Sequence, residues 1–393
     1  MDLAANLTAP SRQEPQKVAG RQFYRPGLDV LRFVAFLSVF TAHAFTASPD
    51  TIPGQSIVAP VGAYGLCLFF FLSSYLITEL LCREQISTGR VHIQAFYLRR
   101  MLRIWPLYFA FLLFGKVIGH MYTFFSLGGY RLLAFLLLSG NWYQIRFGVS
   151  WSPIEPLWSI SLEEQFYLLW PIVASFAGRR ALGVLSAVLL PIAWISLYWH
   201  SGYQADVMGL EFDATIWRNS LVQFEFFALG ALFAIFLQGR VIRWNTVIRY
   251  AVFASGFLLW FAASWLFRIG SFHDRLPGSV LLVGYSLIAA GCILLFLSLL
   301  GASTRLPRFL IYLGKISYGL YVFHWLFLEL VYVVPHTAAG EFIAPHNSIA
   351  SFAAKYSLAL AATVLMAVCS YRFFEMPFLK LKKRFTFVVS RTV

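Results

Sequence analysis

The chain has 393 residues, of which 59% are hydrophobic and only 12% charged. A soluble globular domain carries about twice that charge, so the composition excludes one and indicates a single all-α integral membrane domain. The net charge of +14 lies mainly in short loops between apolar runs, the positive-inside pattern; it excludes nucleic acid as the partner and points to anionic lipid.

In chain order, residues 1–22 form a polar arm with no apolar core of a signal peptide. A transmembrane domain is expected over 23–378, with ten spans near 28–47, 60–82, 104–122, 157–177, 181–200, 219–238, 250–267, 280–301, 316–335 and 352–374. The apolar piece 131–139 is too short to cross. A basic tail, 379–393, closes the chain. Ten spans put both termini on one side, and the loops rich in Lys and Arg make that side cytoplasmic.

Span one carries Arg32 and His43. Charged and titratable side chains are costly at such depth and so mark function. Eleven residues on is about three helical turns, roughly 16 Å along the axis and about 20° around it. One helix face therefore carries a fixed cation near its cytoplasmic end and a titratable base near its outer end. At the mouth of span three stand Arg99, Arg100 and Arg103. Arg100 and Arg103 share a face, and their planar guanidinium forks suit phosphate. With Arg32 they form a basic rim suited to a polyanionic ligand.

Span four carries adjacent carboxylates, Glu163 and Glu164, followed by Tyr167. The two carboxylates point about 100° apart and are expected to have different partners. Their expected depth matches that of His43, where a carboxylate orients an imidazole and stabilises its protonated form. Span nine carries Tyr318, Tyr321 and His324 on one face, a candidate lining for a substrate path. Arg372 and Glu375 at the end of the last span are spaced for an i,i+3 clamp. The four cysteines show neither metal spacing nor a disulfide framework, and no metal site is expected.

These stretches resemble the acyltransferase 3 family of bacterial membrane acyltransferases. Arg32 with His43 matches its opening R-x10-H signature, Gly65 to Thr78 its second-span pattern, and Arg100-Met-Leu-Arg103 its R-x-x-R motif. Leu157 to Pro171 resembles its W-S-L-S-x-E-E-Q-F-Y box, and Ser317 to Trp325 and Ser370 to Pro377 match its later motifs. Val30 and Ser74 stand where the family pattern has glycine.

The resemblance implies O-acyl transfer from cytoplasmic acyl-CoA, acetyl-CoA above all, to a hydroxyl of a glycan, glycolipid or small molecule, in the bacterial inner membrane. Arg32, Arg100 and Arg103 are then expected to hold the CoA phosphates. His43 is the expected general base or transient acyl carrier, oriented by Glu163 or Glu164, with Tyr167, Tyr321 and His324 along the substrate path. Many members carry an added extracytoplasmic domain. This chain is expected to act on its acceptor directly or through a separate extracytoplasmic partner. The competing reading is a proton-coupled transporter or flippase, because buried Arg, His and Glu also build proton relays.

Overall fold

A computed structural model describes residues 24–48, 52–121, 128–149, 152–208, 216–270, 276–302, 306–333 and 349–388. The expected polar arm, 1–22, lies outside the described residues, as does the end of the tail. Among the described residues the chain is helical throughout, without strands.

The first half comprises α1 (Pro26–Ala47), α2 (Gln55–Ala63), α3 (Gly65–Thr88), α4 (Ile93–Met121), two short helices α5 (Gly129–Leu136) and α6 (Gly140–Phe147), and α7 (Trp158–Met208). The second half comprises α8 (Ser220–Leu237), α9 (Thr246–Phe267), α10 (Gly278–Leu299), α11 (Arg308–Lys315), α12 (Ser317–Leu328), α13 (Ile349–Cys369) and α14 (Met376–Lys382). A π-helical turn, Glu329–Val333, extends α12, and another, Ser370–Glu375, joins α13 to α14.

Local chemistry explains several boundaries. Pro26 opens α1, where a missing N–H costs nothing, and Asp29 sits in the first turn, facing the positive end of the helix dipole. The Asn219 side chain caps α8 by accepting from the Leu221 amide at 2.9 Å, and Asn245 caps α9 by accepting from Ile248 at 2.8 Å.

Among the described residues, eight helical segments are long and apolar enough to cross a membrane, where the sequence predicts ten spans. Two local features account for the difference. The expected spans 157–177 and 181–200 run on as the single segment α7, broken at Gly178, whose φ of 68° takes a left-handed turn that a side chain would resist. The expected span 316–335 is met by α12, only 12 residues long, and its π turn.

At the centre stands α1, packed on α2, α3, α10, α11 and α12. Its contact with α11 is close: a Cβ on Gly314 would lie 1.8 Å from the Asp29 carbonyl oxygen, so only glycine fits. That approach brings Lys315 and α12 alongside the first turns of α1. At the periphery, α9 turns Leu258, Trp265 and Leu266 outward, the apolar surface expected toward lipid. Buried polar side chains are tied across helices, as a membrane interior demands. Trp170 donates to the Thr78 hydroxyl at 2.8 Å and Trp194 to Glu225 at 3.1 Å.

One feature of the chain's end differs from expectation. Arg372 and Glu375 do not pair. The wider π turn takes them off a common face; Glu375 accepts instead from Ser370 at 3.2 Å, and Arg372 lies over the Phe373 ring. The segment that opens the basic tail, α14, packs on α4.

Candidate functional site

A cavity of about 400 Å³ opens at the end of the bundle where α1 begins. Arg25, Arg32, Arg99, Arg100, Arg103, Lys315, Lys382 and Lys383 line it, from α1, α4, α11 and the C-terminal segment. Some of this charge is answered within the protein. Glu84 accepts from Arg99 at 2.7 Å and meets His92 at 3.1 Å. Arg25 donates to the Gly239 carbonyl at 2.7 Å. Arg100 is held by two aromatic faces, its guanidinium 5.5 Å from the Phe96 ring centre and 5.3 Å from that of Tyr167. Among the described residues, Arg32 and Arg103 have neither a hydrogen bond nor an ion pair, though both face this cavity.

A smaller cavity of about 80 Å³ continues inward, sharing Arg32, Ser73, Arg100, Arg103, Tyr167 and Tyr318 with the first. Its apolar walls include Leu66, Phe69 and Ile160, and Glu163, Ser159 and Tyr321 also face it. The sequence reading that joined Arg32 to Arg100 and Arg103 is thus met in space. A concave chamber with cations at its mouth and apolar walls within suits a ligand with a polyanionic head and an apolar arm.

The expected pairing of His43 with a carboxylate is not what the structure shows. Glu163 accepts from the hydroxyls of Ser73 and Tyr167, on the arginine side of the chamber. Glu164 turns to α4 and accepts from the Trp105 indole at 3.0 Å. The two carboxylates do have different partners, as their angular separation predicts, but neither bonds to the imidazole.

The partner of His43 is His324. His43 Nδ1 and His324 Nε2 lie 2.7 Å apart, with the rings nearly parallel at 10°. His324 Nδ1 lies 2.5 Å from the Tyr321 carbonyl oxygen. A carbonyl only accepts, so His324 carries its proton on Nδ1 and offers a lone pair at Nε2. The bond between the rings must then be donated by His43 Nδ1, which leaves His43 Nε2 with a lone pair. This chain of two hydrogen bonds prepares His43 as a base in one tautomer without a carboxylate.

Tyr321 connects the two regions. Its hydroxyl meets Ser159 Oγ at 2.6 Å at the wall of the inner cavity, while its carbonyl holds His324. His43 itself lines neither cavity. Ser159 and Tyr321 therefore stand between the chamber and the histidine pair.

The sequence reading passed over several charged groups that the structure ties together. Trp325, whose ring packs edge-on against His43 at 5.0 Å, donates to Glu329 Oε1 at 2.8 Å. Arg131 pairs with Glu155, and Glu155 accepts from Gln144, whose own oxygen accepts from Arg218 at 2.8 Å. Glu329 carried a readable signal: it is an isolated carboxylate inside an expected span, the same anomaly that singles out Arg32 and His43. Arg131 and Glu155 sit outside the expected spans, where charge is ordinary.

A family model described as an acyltransferase domain matches residues 25–372. A putative O-acetyltransferase of Staphylococcus aureus strain MSSA476 is 25% identical over 381 residues, covering 91% of this chain and 58% of the relative. O-acetyltransferase OatA of Staphylococcus aureus strain NCTC 8325 / PS 47 is 25% identical over 388 residues, covering 91% of this chain and 57% of the relative. The chain thus spans less than two thirds of the length of these curated relatives. No solved structure matches it at a significant level.

Proposed function

The chain belongs to the acyltransferase-domain family, and on that premise we propose that it is a multi-pass membrane O-acyltransferase moving an acetyl group from acetyl-CoA to an acceptor hydroxyl. The observation that carries the reading is the division of labour along α1. A cluster of cations, Arg32 and Arg103 among them without an ion pair among the described residues, lines a chamber at one end, and a base with a free lone pair sits about three turns away.

In this reading the membrane is the bacterial inner membrane, with ten crossings and both termini cytoplasmic. The break at Gly178 divides α7 into two of them. The arginine-lined chamber then opens to the cytoplasm, where acyl-CoA is made, and His43 lies toward the outer face. The acceptor is a glycan, glycolipid or small polyol there, reached directly or through a separate extracytoplasmic partner.

Arg32, Arg100 and Arg103 hold the phosphates of the donor, and the narrower inner cavity admits its pantetheine arm. The donor supplies an activated thioester. His43 Nε2 takes the proton of the acceptor hydroxyl as that oxygen bonds the acyl carbon and the carbon–sulfur bond breaks. The imidazolium then returns the proton to the departing thiolate. His324 stabilises that imidazolium through the Nδ1–H bond it already accepts. Movement of Tyr321 or Ser159 must open the chamber toward His43 for the thioester to arrive.

The purified protein in lipid nanodiscs, given radiolabelled acetyl-CoA and a panel of hydroxylated glycans, should release free CoA and label one acceptor. Movement of a solute across proteoliposomes without CoA release would instead assign the transporter reading.

A positioning role for His324 has its own signature. His324→Ala should lower kcat about 100-fold, with the KM for acetyl-CoA unchanged. His324→Gln, whose side-chain oxygen can accept in place of Nε2, should recover much of that loss. Equal loss in the two variants would remove the tautomer argument.

A further inference from the structure

The C-terminal segment, which the sequence marks only as a basic tail, forms one wall of the outer cavity. It is pinned there at two points beyond α14. Arg99 donates to the Phe385 carbonyl at 2.7 Å, and the Phe387 ring stacks on His92 at 4.1 Å. Those contacts place Lys382 and Lys383 at the cavity. Lys382 lies within electrostatic range of Arg103, Arg100, Arg99 and Arg32. Its carbonyl accepts from the Thr386 hydroxyl at 3.1 Å, and among the described residues its ammonium has neither a hydrogen bond nor an ion pair.

A lysine on a flexible stem can swing to water and escape such repulsion. Here the chain is fastened so that its cation joins the cluster. Converging cations are stable together when an anion sits among them.

Depth distinguishes the cations. Arg32, Arg100 and Arg103 line both cavities, whereas Lys382 and Lys383 line only the outer one. A CoA thioester entering acyl-end first places its pyrophosphate deeper than the phosphate monoester on its ribose. We propose that Lys382, with Lys383 beside it, forms a subsite for the 3′-phosphate of the donor, while the deeper arginines take the pyrophosphate. A compact ammonium charge suits a terminal phosphate monoester, as planar forks suit the bridged pair. The assignment rests on the donor reading given above.

The test is binding of CoA and 3′-dephospho-CoA by calorimetry to the full chain in nanodiscs. The parent should bind CoA about tenfold more tightly than dephospho-CoA. Lys382→Gln should lose that preference, weakening CoA about tenfold and leaving dephospho-CoA unchanged, and Lys382→Arg should retain most of it. If Lys382→Gln does not fold, Lys383→Gln should reduce the same preference. Equal weakening of both ligands, or of neither, overturns the subsite. So does a change confined to binding of phosphatidylglycerol vesicles, which would make the lysine a lipid anchor. If the parent binds neither ligand, the donor reading itself fails.

Discussion

A His43→Ala variant inserts and folds like the parent and loses acyl transfer by about 1,000-fold or more. In the proposed mechanism the loss is large because the Tyr321 carbonyl sets His324 and His324 sets the His43 tautomer, leaving His43 Nε2 as the base for the acceptor. No other imidazole replaces it, since the Nδ1 of His324 is committed to the carbonyl. The structural cost is small. His43 is only half-buried, and Trp325 and the aromatic residues around it hold the helix in place without it. The paired measurements are detergent-extracted yield with melting temperature, and acetyl transfer to the acceptor. Transfer at the parental rate would exclude His43 as the base. A collapse in yield would show that its role is in packing.

The second large effect is expected at Arg103, and it falls on one of two readouts. Arg103→Gln removes a half-buried cation that has no ion pair among the described residues and shares its cavity with other cations and with Glu375. Its removal breaks no ion pair among the described residues, so the melting temperature stays level. The same change deletes a charge-assisted contact to the donor phosphates, so the KM for acetyl-CoA rises about 10- to 100-fold while acceptor KM is unaffected. A structural arginine would show the reverse, a loss of stability with donor binding intact. Differential scanning fluorimetry together with donor and acceptor titrations separates the two. If the variant is destabilised and its donor KM is unchanged, the phosphate site lies elsewhere.

Much of the candidate site was legible along the chain because its parts are local. Arg100 and Arg103 share a face by helical spacing alone, and Arg32 belongs to the same membrane end by the charge asymmetry of the loops. Both survive as linings of one chamber. The angular split of Glu163 and Glu164 is equally local, and each has its own partner. The failures are of another kind. The carboxylate assigned to His43 was chosen by expected depth, yet the true partner lies 281 residues away on α12. Depth restricts a side chain to a layer of the membrane and leaves open which helix faces it. The Arg372–Glu375 clamp failed because a π turn, invisible to a 3.6-residue rule, intervenes.

By itself the sequence determined the membrane class, the placement of most spans, and the grouping of Arg32, Arg100 and Arg103 at one end of the bundle. All of these follow from composition and helical period, which act within one segment. Tertiary structure alone decided that α1 stands at the centre, that Gly314 lets α11 approach it, and that His324 is the partner of His43. It also decided that the C-terminal segment forms one wall of the chamber. Such outcomes depend on which helix faces meet, and in a chain this apolar nearly every face can be buried. Close backbone approach and the pairing of buried polar groups make that selection.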